Sequence, residues 1–194
     1  NEDRRMEIIK EELLEIKNKY GDERRSVIEY AGGDFNMEDM IPDSNVVVTI
    51  SHAGYVKRTD LSEYKTQNRG GTGQKGSATR NEDFLEHLFV ATNHQYMLFF
   101  TQKGKVFWMR VYEIPEGNKT SKGRAIQNLI NIENEDSVKA YLVTEDLKDE
   151  DYVNNNYVIM VTKKGQTKKT SLEQYSRPRT NGINAITIRE DDEL

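Results

Sequence analysis

Lysine and arginine recur in three blocks along this 194-residue chain. The first block holds Lys57, Arg58, Lys65, Arg69, Lys75 and Arg80. The second holds Lys103, Lys105, Arg110, Lys119, Lys122 and Arg124, and the third Lys163, Lys164, Lys168, Lys169, Arg177 and Arg179. Acids are few in each, so residues 45–80, 101–125 and 161–182 carry formal charges of +4, +4 and +5. Residues 126–160 carry −6, and the whole chain −5. The net charge alone argues mildly against a nucleic acid partner, but its distribution reverses that. Clustered ammonium and guanidinium groups neutralise phosphates and release condensed counterions, so the chemistry they offer is polyanion binding that weakens steeply with salt.

Catalytic and metal chemistry find less support. His52, His87 and His94 lack metal-ligand spacing. There is no cysteine, which excludes disulfides and thiolate sites. Asp146, Asp149, Glu150 and Asp151 lack the spacing and glycine of a calcium loop and read as a solvated acidic segment. Phe107 and Trp108 read as strand packing. No phosphate-binding motif for ATP is present, and no apolar run approaches the roughly 20 residues needed to cross a bilayer. No signal-peptide pattern opens the chain. A start at Asn1 reads as a beginning inside a longer protein.

The elements that position the cations are repeated. Apolar runs at 46–50, 96–100 and 157–161 are predicted strands. Each is followed by a hydroxyl residue, two spacers and a glycine: Ser51 to Gly54, Thr101 to Gly104, and Thr162 to Gly165. Such a glycine marks a hairpin. A second glycine follows at Gly73, Gly123 and Gly182, at offsets of 19, 19 and 17. A further β-like run precedes each hairpin, at 27–30, 88–91 and 140–144. The predicted unit is a four-stranded antiparallel sheet, with residues 145–156 as a lengthened hairpin loop. Units of about 50 residues suggest blades around an axis, and three are too few to close a propeller. The expected fold is all-β with a short N-terminal helix: about three four-stranded blades in an open arc. The same half of every blade is basic, which predicts a positive band suited to duplex DNA.

Before the blades, Met6, Ile9, Leu13, Ile16 and Tyr20 follow the 3-4 spacing of a coiled-coil seam, ending at Gly21. Two heptads are too few for an isolated coiled coil, so this helix is expected to pack on its own domain or on a partner.

Between the first pair of glycines stand Gln67, Asn68, Arg69, Gly70, Gly71, Thr72 and Gly73. This stretch resembles the gyrase A box, Q-R-R-G-G-K/R-G, with Asn68 in place of an arginine and Thr72 in place of a basic residue. Glycines there let backbone N–H groups approach phosphates, while Arg69 and Lys75 supply charge. Residues 19–26 are similar to the junction between the coiled-coil arm and the C-terminal domain of bacterial DNA gyrase A. The resemblance implies residues 1–22 as the end of that arm and 23–194 as a partial β-pinwheel with strand exchange between blades. It implies a non-catalytic DNA-binding and DNA-wrapping part of a type IIA topoisomerase, supporting ATP-dependent negative supercoiling. The family's catalytic tyrosine lies upstream, and its ATP and Mg2+ are used through other domains, so no cofactor is expected here. The implied partners are double-stranded DNA, the remainder of gyrase A, and gyrase B, in the bacterial cytoplasm with the chromosome and with no membrane. Three alternatives stay open: the C-terminal domain of the corresponding topoisomerase IV protein, a propeller-like protein interaction module with an acidic partner, and an RNA-binding β module using Arg-Gly-Gly.

Overall fold

The computed structural model describes residues 2–23, 25–26, 37–64 and 83–194. The predicted strand at 27–30, the whole box at 67–73, and Lys65, Lys75 and Arg80 lie outside the described residues. The chain divides into two compact units, Asn1–Asn36 and Met37–Leu194.

In the first unit, α1 spans Glu2–Tyr20, with Glu2 and Asp3 in its first turn and Lys17 and Lys19 in its last. These charges complement the helix dipole. The Gly21 N–H donates to the Lys17 carbonyl at 2.8 Å and ends the helix where the sequence placed it. Met6, Ile9, Leu13, Ile16 and Tyr20 are all exposed.

The second unit contains β1 (Asn45–Ser51), β2 (Tyr55–Asp60), β3 (Leu85–Thr92), β4 (Tyr96–Thr101) and β5 (Lys105–Arg110). It continues with β6 (Arg124–Ala125), β7 (Val138–Thr144), α2 (Glu150–Asn155), β8 (Tyr157–Val161), β9 (Thr167–Ser171) and β10 (Ile183–Asn184). The sheet orders are β3-β1-β2-β6, β10-β5-β4-β7 and β8-β9. Their central strands are rich in β-branched and aromatic residues, which fit a buried pleated surface.

Strand partners differ from the expectation that each repeat forms its own four-stranded sheet, and follow the strand exchange that the resemblance implies. The run preceding a hairpin joins the sheet before it: β3 pairs with β1, and β7 with β4. β6 and β10 likewise cross back, to β2 and β5. The connection after β3 cannot close a hairpin, because both edges of β4 are taken by β5 and β7. Buried Asn93 also anchors that connection to the preceding segment, donating to the Pro42 carbonyl at 2.9 Å and to Ser44 Oγ at 3.0 Å. Residues 145–156 are not a hairpin loop either. They carry the chain from β7 of the second sheet to β8 of the third, and include α2, capped by the Asp149 carboxylate. Among the described residues the third sheet has two strands rather than four.

The core lies between successive sheets. Val48 and Ile50 of the first sheet meet Met97, Phe99, Phe107 and Met109 of the second. Leu98, Phe100 and Val106, on the other face of that sheet, meet Met160, Leu172 and Tyr175. Alternate residues of β4 thus serve two cores, which explains its unbroken apolar run. The equivalent outward residues of β8, Ile159 and Val161, are exposed.

The hydroxyl-x-x-glycine motif has a common geometry. Gly54, Gly104 and Gly165 have φ of +79°, +83° and +84°, and each N–H donates to the hydroxyl residue's carbonyl at 2.9 Å. Ser51 Oγ, Thr101 Oγ1 and Thr162 Oγ1 accept from the N–H four residues on, at 3.2, 3.1 and 3.0 Å. A carboxylate clamps each turn from outside it. Asp83, Asp136 and Asp192 accept from the N–H groups of Ala53, Lys103 and Lys164 at 2.9, 3.0 and 2.9 Å.

Burial pushes the Asp83 carboxyl up, but the Ala53 N–H and Ser51 hydroxyl outweigh it and hold the group below its ordinary range. The Thr162 hydroxyl lowers Asp192 most. Carboxylates depressed in the folded state stabilise fully above their unfolded pKa, and lose that contribution as pH falls through the folded value. The urea midpoint should therefore fall below about pH 4. It should fall less in an Asp83→Asn, Asp192→Asn variant, and an identical pH profile for both proteins would remove the clamps from the explanation.

Candidate nucleic-acid interface

β2, β5 and β9 are the equivalent second strands of the three hairpins. Along the outer edge of β2 runs β6, with Val56 opposite Arg124. Along the outer edge of β5 runs β10, with Val106 opposite Ile183. The segments leading into these strands, 117–123 and 176–182, end on the second glycines. At Gly123 φ is +80°, and an added Cβ would lie 2.4 Å from the Val56 carbonyl oxygen. Only glycine lets the chain turn this close to the neighbouring strand.

These edge segments carry the exposed cations. Lys122, Arg124, Arg177 and Arg179 are exposed. None has a carboxylate within ion-pair distance among the described residues. On the third sheet, Lys168 and Lys169 stand exposed on β9 itself. Lys168 Nζ donates to the Ala185 carbonyl at 2.6 Å, and Lys169 lies 4.1 Å from the centre of the Tyr157 ring. Lys164 is exposed at its hairpin turn. The fold thus brings cations of the second and third repeats to the outer side of the second hairpin strand in three successive sheets.

Other members of the basic blocks are engaged by the protein. Lys57 is 1% exposed. Its Nζ donates to the carbonyls of Asn118, Lys119 and Ser121 at 2.8, 3.0 and 3.0 Å. Desolvation pushes its pKa down. Arg58 donates to Ile114 O, Asn93 Oδ1 and Glu116 Oε2, each at 3.3 Å. Arg110 donates to the His94 carbonyl and pairs with Glu38 at 2.8 Å, its guanidinium 3.9 Å from the Tyr96 ring centre. Lys103 and Lys105 meet Glu133 at 3.6 and 2.6 Å. Lys163 meets Glu193 at 2.7 Å, and that hydrogen bond raises the lysine's pKa.

The inward course of Lys57 has a signal in the sequence. Three residues after the hairpin glycine stand Lys57, Phe107 and Lys168, and Phe107 is buried. In the first two repeats the position therefore faces the protein, whereas Lys168 in the two-stranded third sheet is exposed. The clamping aspartates had no such signal, because they follow their glycines at irregular distances. Trp108 is a packing residue, donating through Nε1 to the Tyr175 carbonyl at 2.9 Å. His52 stacks on Phe84 with ring centres 4.7 Å apart and meets Glu86 at 3.3 Å.

The family described as DNA gyrase C-terminal domain, beta-propeller, matches residues 45–92, 95–145 and 156–194. The breaks fall at the connections between successive sheets. The chain is 44% identical over 188 residues to the DNA gyrase A protein of Neisseria gonorrhoeae, covering 97% of this chain and 20% of that protein. It is 43% identical over 189 residues to the DNA gyrase A protein of Halalkalibacterium halodurans, covering 97% and 22%. The chain thus spans about a fifth of the length of these relatives. Among solved structures, the C-terminal domain of DNA topoisomerase IV superposes with a TM-score of 0.64 at 29% identity, covering 79% of this chain and 45% of that one. The DNA gyrase A C-terminal domain superposes with a TM-score of 0.58 at 22% identity, covering 77% and 45%, a likeness of fold. The sheets that exchange strands, the repeated hairpins and these matches agree, and the chain belongs to the DNA gyrase C-terminal β-propeller family.

Proposed function

We propose that this chain is a non-catalytic DNA-binding segment that holds a bent duplex along the basic edge of its sheets. In this reading it serves negative supercoiling by a complex of gyrase A with gyrase B, with ATP and Mg2+ used in other domains. The supporting observation is the placement of Lys122, Arg124, Arg177 and Arg179, exposed and without carboxylate partners among the described residues, on equivalent edges of successive sheets. Such a row meets phosphates rather than base edges, so recognition rests on charge and on DNA deformability. The box residues Gln67, Arg69, Gly70, Gly71 and Gly73 favour gyrase over topoisomerase IV, and by the repeat they occupy the segment equivalent to 117–123. Work beside the bacterial chromosome in the cytoplasm follows from this reading. Among the described residues no helix is long and apolar enough to cross a membrane.

Fluorescence anisotropy with a labelled duplex of about 40 base pairs, titrated at several salt concentrations, tests it. The expected result is binding that is indifferent to sequence and collapses as salt rises. Absence of binding at low salt, with capture of an acidic protein instead, would favour the interaction-module reading.

A further inference from the structure

The Lys57 ammonium has three protons, and the structure gives it three acceptors, all from one turn: the carbonyls of Asn118, Lys119 and Ser121. Carbonyl dipoles aimed at one point repel each other unless a cation occupies it. A lysine that crosses from β2 therefore does for this turn what a bound metal ion does for a coordination loop. The rest of the turn is drawn in around it. Thr59 Oγ1 donates to the Gly117 carbonyl at 2.7 Å, and Asn118 Oδ1 accepts from the N–H groups of Thr120 and Ser121 at 3.0 and 2.9 Å. Gly117 lets the turn close tightly, since an added Cβ would lie 2.3 Å from Ser121 Oγ and displace that hydroxyl. The end of this turn and the strand that follows it present Lys122 and Arg124 outward. Above it Lys119 lies 4.3 Å from the Tyr64 ring centre.

We propose that Lys57 is a positioning residue for DNA: its buried charge touches no phosphate but fixes the 117–123 turn, so that Lys122 and Arg124 meet the duplex in one arrangement. This assignment rests on the DNA-binding reading above. Loss of the Lys57 charge leaves both outer cations present but unheld, and ordering them on the duplex then weakens binding.

A double-mutant cycle on the full chain separates the possibilities, with the 40-base-pair duplex as probe and a thermal unfolding scan on each protein. Lys57→Met keeps the side-chain stem. It should weaken binding about tenfold in the parent chain, and less than about twofold in a Lys122→Ser, Arg124→Ser background, because its effect passes through those two residues. An equal loss in both backgrounds, or none in the parent, overturns the assignment. If Lys57→Met fails to fold, Thr59→Val loosens the same turn without changing charge. It should show the same dependence on Lys122 and Arg124, and additive losses there would overturn the assignment equally. If Lys122→Ser, Arg124→Ser binds DNA as tightly as the parent, the assignment of Lys57 is overturned while DNA binding stands; if the parent itself binds no duplex at low salt, the DNA-binding reading fails and the role of Lys57 with it.

Discussion

Gly104→Ala will cost this domain about 3 kcal/mol or more, while the same change at Gly54 or Gly165 will cost about 1–2 kcal/mol. All three glycines close equivalent hairpins with nearly equal positive φ, so the penalty for an L side chain in that conformation is common to them. The surroundings differ. At Gly54 and Gly165 an added Cβ meets nothing within 4 Å, whereas at Gly104 it would lie 2.1 Å from the Ile186 carbonyl oxygen. The clash cannot relax easily, because the Ala185 and Ile186 N–H groups donate to the Gly104 carbonyl at 2.8 and 3.1 Å. Moving that segment pulls Ala185 and Ile186 out of the second core. Urea unfolding of the three variants, compared at constant slope, measures the difference. Equal losses at the three positions would mean that the close approach of residues 185–186 contributes nothing beyond backbone conformation.

Replacing Lys122, Arg124, Arg177 and Arg179 together by serine should lower the salt dependence of DNA binding by about 3–4 in the slope of log K against log salt, at about 0.9 for each phosphate no longer neutralised. All four side chains are exposed, so stability should move by less than about 0.5 kcal/mol per site. The matched control replaces Lys103, Lys105 and Lys163, which already meet Glu133 or Glu193. A carboxylate competes with phosphate for those ammonium groups, and the control should change the slope by less than about 1. Similar slopes for the two variants would show that position on the sheet edge is irrelevant and that binding follows total charge alone.

Much of the fold is legible in the residues. The strands β1, β3, β4, β7 and β8 each contain a run that the sequence marks, and the hydroxyl-x-x-glycine turns fall where expected. Pairing was less legible, for a physical reason. A period of two and a turn signal say that a strand exists, whereas its neighbour is chosen by which edges remain open. β4 has none to offer the run before it, since β5 and β7 hold both. Charge was legible as a pattern but not as an exposure. Lys57 and Lys122 belong to basic blocks alike, yet one closes a turn and the other faces solvent. In the sequence, the apolar Phe107 at the place equivalent to Lys57 is the mark that separates them.

Strand exchange also governs how the domain can fold and how its repeats can be cut apart. β2 gains its outer neighbour only when Arg124 arrives opposite Val56, and β5 only when Ile183 arrives opposite Val106. Pairings this distant along the chain slow folding, because a long loop must close before they reward it. In a solenoid each repeat touches its neighbour without crossing into it, and stability builds up unit by unit. Here a boundary drawn between repeats takes a strand from the sheet before it, β6 from the first sheet or β10 from the second. The first two sheets should therefore melt as one cooperative block. A change in repeat number must re-pair two seams, so whole repeats, never partial ones, are the unit in which such a chain can lengthen or shorten.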